Sequence, residues 1–102
     1  MFSVGNNASE NFSVIDGSKD NDIWFHVKDY ASCHVVASIP EDVKLTKKDL
    51  KYIIKQGALL CKKYSKYSNV KDLAIIYTTI NNVQKTDIIG SVLTSNIKNM
   101  YL

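Results

Sequence analysis

The sequence predicts an α+β fold: a mostly antiparallel β-sheet packed against one long α-helix, in a single compact domain over residues 1–102. Two observations of pattern lead there. Short apolar segments with strand character crowd the first forty residues and return after residue 72, and between them a single stripe of 3.6-residue period runs from Leu50 to Tyr64. Strands, one long helix, then strands again is the order of an α+β domain whose helix covers one sheet face. Length sets the same bound, because a chain of 102 residues buries roughly 65% of its unfolded surface, enough for one core and not two.

The elements follow in order. FSVG (2–5) is a first short strand ended by Gly5, and the turn-rich NNASEN comes after it. FSVI (12–15) reads as a second strand stopped by Asp16-Gly17. Residues 23–28 and 34–39 are the clearest early strands, separated by the loop DYASC; Pro40 ends the second because it has no ladder hydrogen bond to donate. Thr46, with Asp49 three residues on, resembles a capping box and starts the helix. Leu50, Ile53, Ile54, Gly57, Leu60, Cys61 and Tyr64 form its apolar stripe, Lys47, Lys51, Lys55, Lys62 and Lys66 gather on the opposite side, and its end is expected near Tyr67-Ser68-Asn69. LAIIYTTI (73–80) is a buried strand by its β-branched content, Asn81-Asn82 marks a turn, and VLTS (92–95) and IKNMYL (97–102) are two further short strands.

Composition narrows the function. With 45% hydrophobic and 23% charged residues the chain lacks the signature of disorder. No apolar run approaches the roughly 20 residues of a membrane helix, and MFSVGNNASENF has neither the basic region nor the apolar segment of a secretory signal. The expectation is a soluble, cytoplasmic protein without a membrane partner. In that reducing compartment Cys33 and Cys61, which lack paired spacing, are expected to be free thiols. No phosphate-cradling glycine loop is present, which sets nucleotide hydrolysis aside.

Net charge is +3, unevenly distributed. Glu10, Asp16, Asp20 and Asp22 face only Lys19 in the first 22 residues, whereas residues 44–66 hold Lys44, Lys47, Lys48, Lys51, Lys55, Lys62, Lys63 and Lys66 against Asp49 alone. All thirteen basic residues are lysine, so no planar guanidinium is available for bidentate recognition, and anion binding rests on mobile point charges. The helix lysines have two readings, a solvated face or a phosphate-tracking stripe. If four of them neutralise one phosphate each on single-stranded RNA, the logarithmic salt slope is about −2.8.

The stretch DIWFHVKDY (22–30) carries the densest chemistry. Alternation points Ile23, Phe25 and Val27 to the core and Asp22, Trp24, His26 and Lys28 to the other face. That second row is either structural, with Trp24 covering a sheet face and His26 satisfied by a backbone group or carboxylate, or functional, with an aromatic platform for an unstacked base and His26 and Lys28 on phosphate or ribose. His34, on a neighbouring strand, has the same two readings; it can meet His26 across the sheet, and either imidazole can titrate near neutrality. Asp22 either orients one of the imidazoles or ends the acidic turn before the strand. A zinc site built from His26, Cys33, His34 and Cys61 is disfavoured, since short ligand pairs are absent and Cys33 and His34 point to opposite faces.

DIWFHVKD followed by SCHVV resembles the signature of the NFACT RNA-binding domain. The resemblance extends over nearly the whole chain. Val4, Gly5, Asn6, Asn7 and Asn11 match the family's opening strand, glycine and asparagine-rich turn; Asp22, Trp24 and His26 match its Asp-x-Trp-x-His block; Cys33, His34 and Val35 match the small residue before a His-Val pair. Tyr77, Thr78, Val83, Lys85 and Thr86 follow in order, and Gly90 stands where the family places a glycine before its last strands. This later segment looks closest to the stand-alone eukaryotic branch, whose members usually add a charged coiled-coil tail not found here. A second departure is Asn6, where relatives often carry arginine after the first glycine.

The resemblance implies a non-enzymatic RNA-binding domain associating with tRNA, ribosomal RNA or the ribosome, with no cofactor, no metal and no small-molecule substrate. Its contact row is Trp24, His26, Lys28 and His34, with Asn7, Asn11 and Lys85 as further candidates beside the helix lysines Lys51, Lys55 and Lys62. Two other readings stand beside it: a protein-docking module on a ribosomal or chaperone partner, and a general nucleic-acid binder that also takes DNA. An enzyme using His26 and His34 as acid and base is a more distant one.

Overall fold

The two faces of one antiparallel sheet are covered by different elements in the computed structural model, which describes residues 1–102. Strands β1 (Phe2–Gly5), β2 (Ile23–Val27), β3 (His34–Ala37), β4 (Ala74–Thr79) and β7 (Lys98–Tyr101) form the sheet in the order β1-β3-β2-β4-β7. Helices α1 (Ala8–Asp16) and α2 (Lys47–Tyr64) pack on it, and β5 (Val83–Lys85) with β6 (Val92–Thr94) makes a separate hairpin. The fold is a single compact α+β domain with two helices rather than one.

The first face is the one the alternation of β2 foretells. Ile23, Phe25 and Val27 join Val35, Ile75 and the α2 residues Ala58 and Cys61 in a continuous core. Phe25 lies opposite Val35 on one side and Tyr77 on the other, which puts its ring at the centre of the helix-facing surface. Gly57 is what lets α2 come down onto it: a Cβ there would stand 2.3 Å from the Phe25 ring. The capping box forms as expected, Thr46 Oγ1 accepting from Asp49 N and Asp49 Oδ2 accepting from Thr46 N, both at 3.1 Å. The helix stops at Tyr64, where its apolar stripe ends and before the expected Tyr67-Ser68-Asn69, because Ser65 turns extended and donates to the Lys62 carbonyl through both its N–H and its hydroxyl.

The second face corrects the sequence reading. FSVI is not a strand; it is the last half of α1. Asn7 caps that helix, its side chain accepting from Glu10 N at 2.8 Å, while Glu10 Oε1 accepts from Asn6 N at 3.0 Å. Buried Asn11 and Ile15 are one helical repeat apart, so a four-residue window of Phe, Ser, Val and Ile is too short to separate a period of two from one of 3.6. Gly5 of β1 admits the helix, because a Cβ there would lie 2.5 Å from Asn11 Oδ1 and under 3 Å from its backbone. Alongside α1, Ile80 and the hairpin residues Val83 and Val92 complete a smaller core around Trp24, Val36 and Ile15. Strand β5 was not anticipated; at three residues it offers too little alternation to read.

Replacing Gly57 with alanine should destabilise the domain by about 1–3 kcal/mol through overpacking against Phe25, although alanine is the better helix former by about 1 kcal/mol. Gly17→Ala, where the added carbon meets nothing closer than 3.5 Å, should stay within about 0.5 kcal/mol of the parent. Urea unfolding of the two variants measures the contrast.

Candidate nucleic-acid interface

On the second face Trp24, His26 and His34 form one ring cluster. His26, two residues along β2, lies parallel to the indole at 5.5 Å and 10°. His34 meets both rings edge-on, 5.3 Å from Trp24 and 5.0 Å from His26. The indole N–H donates to His34 Nδ1 at 3.1 Å, and the His34 backbone N–H donates to Asn11 Oδ1 at 3.2 Å. With Nδ1 accepting, the neutral His34 ring carries its proton on Nε2. His26 is the mirror case: Nδ1 lies 2.6 Å from the Val27 carbonyl, which only accepts, so its proton sits on Nδ1 and Nε2 keeps a lone pair.

This geometry corrects the expectation of open rings. Trp24 is 1% exposed and His34 2% exposed, because α1 and the β5–β6 hairpin lie over the face that alternation alone would leave to solvent. Trp24 therefore offers no platform to a base. Burial, with the nearby His26 ring adding to it, pushes His34 down to about 4. Burial likewise holds His26 below the ordinary histidine range, against the opposing hydrogen bond to Val27. Both imidazoles are neutral at pH 7, so they contribute hydrogen-bonding edges and no charge.

The half-buried His26 and the edge of His34 open into a groove of about 390 Å³. One wall is the start of α1, Asn6, Asn7 and Asn11; another is Ser32 and Cys33 leading into β3; the third is the end of α2, Tyr64, Ser65 and Lys66. Gly90, from the loop of the hairpin, touches the groove's edge with φ of 83°, and its α-carbon packs so close to Ala8 that a Cβ would stand 2.8 Å away. Glycine at this position thus keeps the hairpin shut against α1.

The groove assembles some of the residues expected at the interface and leaves others out. Asn7, Asn11, His26 and His34 line it, although Asn7 is occupied as a helix cap and Asn11 as the acceptor for His34. Lys28 is half-buried just past the end of β2 and does not line it. Lys85 is paired with Asp16 across the hairpin–α1 contact, its ammonium 5.3 Å from the Phe12 ring centre. Lys62 donates to the Leu102 carbonyl at 2.8 Å. Lys51 and Lys55 are exposed on the outer side of α2. Asp22 bonds neither imidazole; buried, it accepts from the backbone N–H groups of Lys19 and Ile39 and so ties down the turn before β2.

Among the lining residues not read as site residues, two carry chemistry suited to nucleic acid, Tyr64 and Lys66. Tyr64 belongs to the apolar stripe by spacing, yet it is 52% exposed at the rim, with Lys63 Nζ 5.5 Å from its ring centre. Lys66 belongs to the lysine stripe and reaches the groove because α2 ends there. Their position among Lys62, Lys63 and Lys66 was the available signal. The side-chain ion pairs are Lys19–Glu41 and Lys85–Asp16, so no lysine of residues 44–66 is paired with an Asp or Glu side chain. The stripe and the imidazole pair therefore lie on opposite faces of the sheet but converge at one end of it.

The family model described as the NFACT protein RNA binding domain matches residues 1–96. Among solved structures, the C-terminal part of the fibronectin/fibrinogen-binding protein from Streptococcus suis is similar, with a TM-score of 0.79 over 99% of this chain at 22% identity, a likeness of fold. The chain spans 39% of that one. No curated protein matches it.

The neutral, buried state of His34 makes stability pH-dependent. Its folded pKa of about 4 lies below the unfolded value of 6.5, so the unfolded chain takes up the proton first. Stability is complete above pH 6.5, falls as pH drops toward 4, and levels off below. The loss from this one group is about 3 kcal/mol. His34→Asn, which keeps an acceptor near Trp24 Nε1 but cannot titrate, should lose about 3 kcal/mol less than the parent between pH 7.5 and pH 4. Urea unfolding at the two pH values reads the difference.

Proposed function

From the premise that the chain belongs to the NFACT RNA-binding domain family, we propose that it binds structured RNA, transfer or ribosomal, through the groove between α1, β3 and the end of α2. The observation that carries this reading is the convergence of an exposed aromatic, unpaired lysines and the edges of two neutral imidazoles at one end of the sheet. Tyr64 stacks an unpaired base, with Lys63 and Lys66 on the flanking phosphates. His34 Nε2–H and His26 Nε2 offer one donor and one acceptor to a base edge or a ribose hydroxyl. Lys51 and Lys55 extend the positive path along α2. Lysines alone supply charge, so recognition follows backbone and shape rather than base sequence. The domain acts as a binding module without catalysis, in the cytoplasm, on RNA of the translation machinery.

One observation favours a second reading, docking on a ribosomal or chaperone protein. At the other end of α2 a cleft of about 550 Å³ is lined by Ile39, Val43, Leu45, Leu50 and Ile54, with Val43 56% exposed. Association through that cleft would survive nuclease treatment, whereas association through the groove would not.

Fluorescence anisotropy with a labelled structured RNA tests the first reading. Tyr64→Ala should weaken binding by about tenfold, the equivalent of 1.4 kcal/mol of lost stacking. Lys63→Ala and Lys66→Ala should each lower the magnitude of the logarithmic salt slope by about 0.7–0.9, the range between single strands and a duplex. Unchanged affinity and slope in the triple variant, with the fold intact, would reject the groove. A DNA of equal length run beside the RNA separates an RNA-binding domain from a general nucleic-acid binder.

A further inference from the structure

Under the groove, Cys33 and Cys61 face each other between β3 and α2. Cys33 precedes β3, between Ser32 and His34, and Cys61 lies one helical turn before Tyr64. The contact is reciprocal. Cys33 Sγ is 3.5 Å from the Cys61 carbonyl and Cys61 Sγ is 3.9 Å from the Cys33 carbonyl, so each thiol packs against the other residue's backbone. Both are free cysteines.

The two sulfurs differ in access and in acidity. Cys61 is fully buried, whereas Cys33 is 7% exposed and lines the groove. The hydrogen bond from Cys61 pulls the Cys33 thiol below the ordinary cysteine range, and the same bond, with burial, pushes Cys61 up. Of the two, Cys33 lies nearer the groove and Cys61 is packed behind it. This is the arrangement of an attacking and a resolving cysteine.

We propose that Cys33 and Cys61 form a reversible disulfide, oxidised through the groove by a low-molecular-weight disulfide such as glutathione disulfide. Cys33 thiolate attacks one sulfur of the oxidant; that S–S bond breaks, and the first glutathione leaves with the proton Cys33 gave up. Cys61 then attacks Cys33 Sγ, its proton passing to the second departing glutathione. Two protein thiols are oxidised and one glutathione disulfide is reduced to two thiols. The new bond joins the start of β3 to the last turn of α2, two of the three groove walls, and constrains the segment 33–61 in the unfolded chain.

The test uses the folded full chain with excess glutathione disulfide, followed by iodoacetamide, intact mass and peptide mapping. The parent should lose the mass of two hydrogen atoms, take up no alkyl group and yield a Cys33–Cys61 linked peptide, with a urea midpoint that rises and returns on reduction. Cys61→Ser should stop at a single glutathione adduct on Cys33, and Cys33→Ser should gain none while Trp24 fluorescence reports a native fold. Full alkylation of both cysteines in the parent would overturn the proposal. So would a lasting glutathione adduct with Cys61 still alkylated, or a bond that forms only in urea. These parent outcomes do not depend on any variant folding or on RNA binding.

Discussion

An indole N–H shut away from water has to find an acceptor, and in this protein the acceptor is His34 Nδ1. Leaving such a donor unpaired costs about 1–3 kcal/mol, a large part of a small domain's net stability. The requirement propagates. His34 must keep a lone pair on Nδ1, so it must remain neutral and place its proton on Nε2. Its position depends on Asn11, which accepts the His34 backbone N–H, and Asn11 reaches it because Gly5 has no side chain to hold α1 away from β1. One hydrogen bond therefore links a strand glycine, a helix asparagine, the tautomer of a histidine and the burial of the lone tryptophan.

Most of the sheet was legible because alternation and β-branched content are local signals. Ile23, Phe25 and Val27 point to the α2 core as read, and the Thr46–Asp49 capping box was visible in its spacing. The second face was misread for a local reason with a distant consequence. Taking FSVI as a strand removed the helix that lies over Trp24, and without that helix the row Asp22, Trp24, His26 and Lys28 looked open. The better signal was Asn7 followed three residues later by Glu10, a capping pattern hidden in what reads as a polar turn. The groove was not legible at all. Its walls come from residues 6–11, 32–34, 64–66 and Gly90, and no periodicity places four separated segments at one end of a sheet.

The burial of the rings also divides the chemistry of the site in two. Depressed histidine pKa values remove positive charge from the floor, while Lys63 and Lys66 at the end of α2, paired with no acidic side chain, restore it at the rim. A neutral floor and a cationic rim suit a ligand whose charge is peripheral and whose interior is polar and planar, which is the layout of a nucleotide. One nitrogen of each imidazole is already engaged, by Trp24 or by Val27, so each ring presents a single free nitrogen toward the groove.

Covering both sheet faces decides where a nucleic acid can lie. RNA readers that use an open sheet display aromatics across its strands and stack two or three bases on them. Here that surface holds Trp24 under α1 and the hairpin, and the groove at the sheet's end, about 390 Å³, has room for about one nucleotide. One stacked base is worth about 1–3 kcal/mol, far short of the roughly 8 kcal/mol of a micromolar complex. On the proposed reading the remainder comes from phosphates laid along the lysines of α2, each contact salt-sensitive and indifferent to sequence. A domain working in that way recognises the course of a backbone toward a single exposed nucleotide. Such a course is fixed in folded RNA with its bulges and loop ends and is not fixed in a flexible single strand.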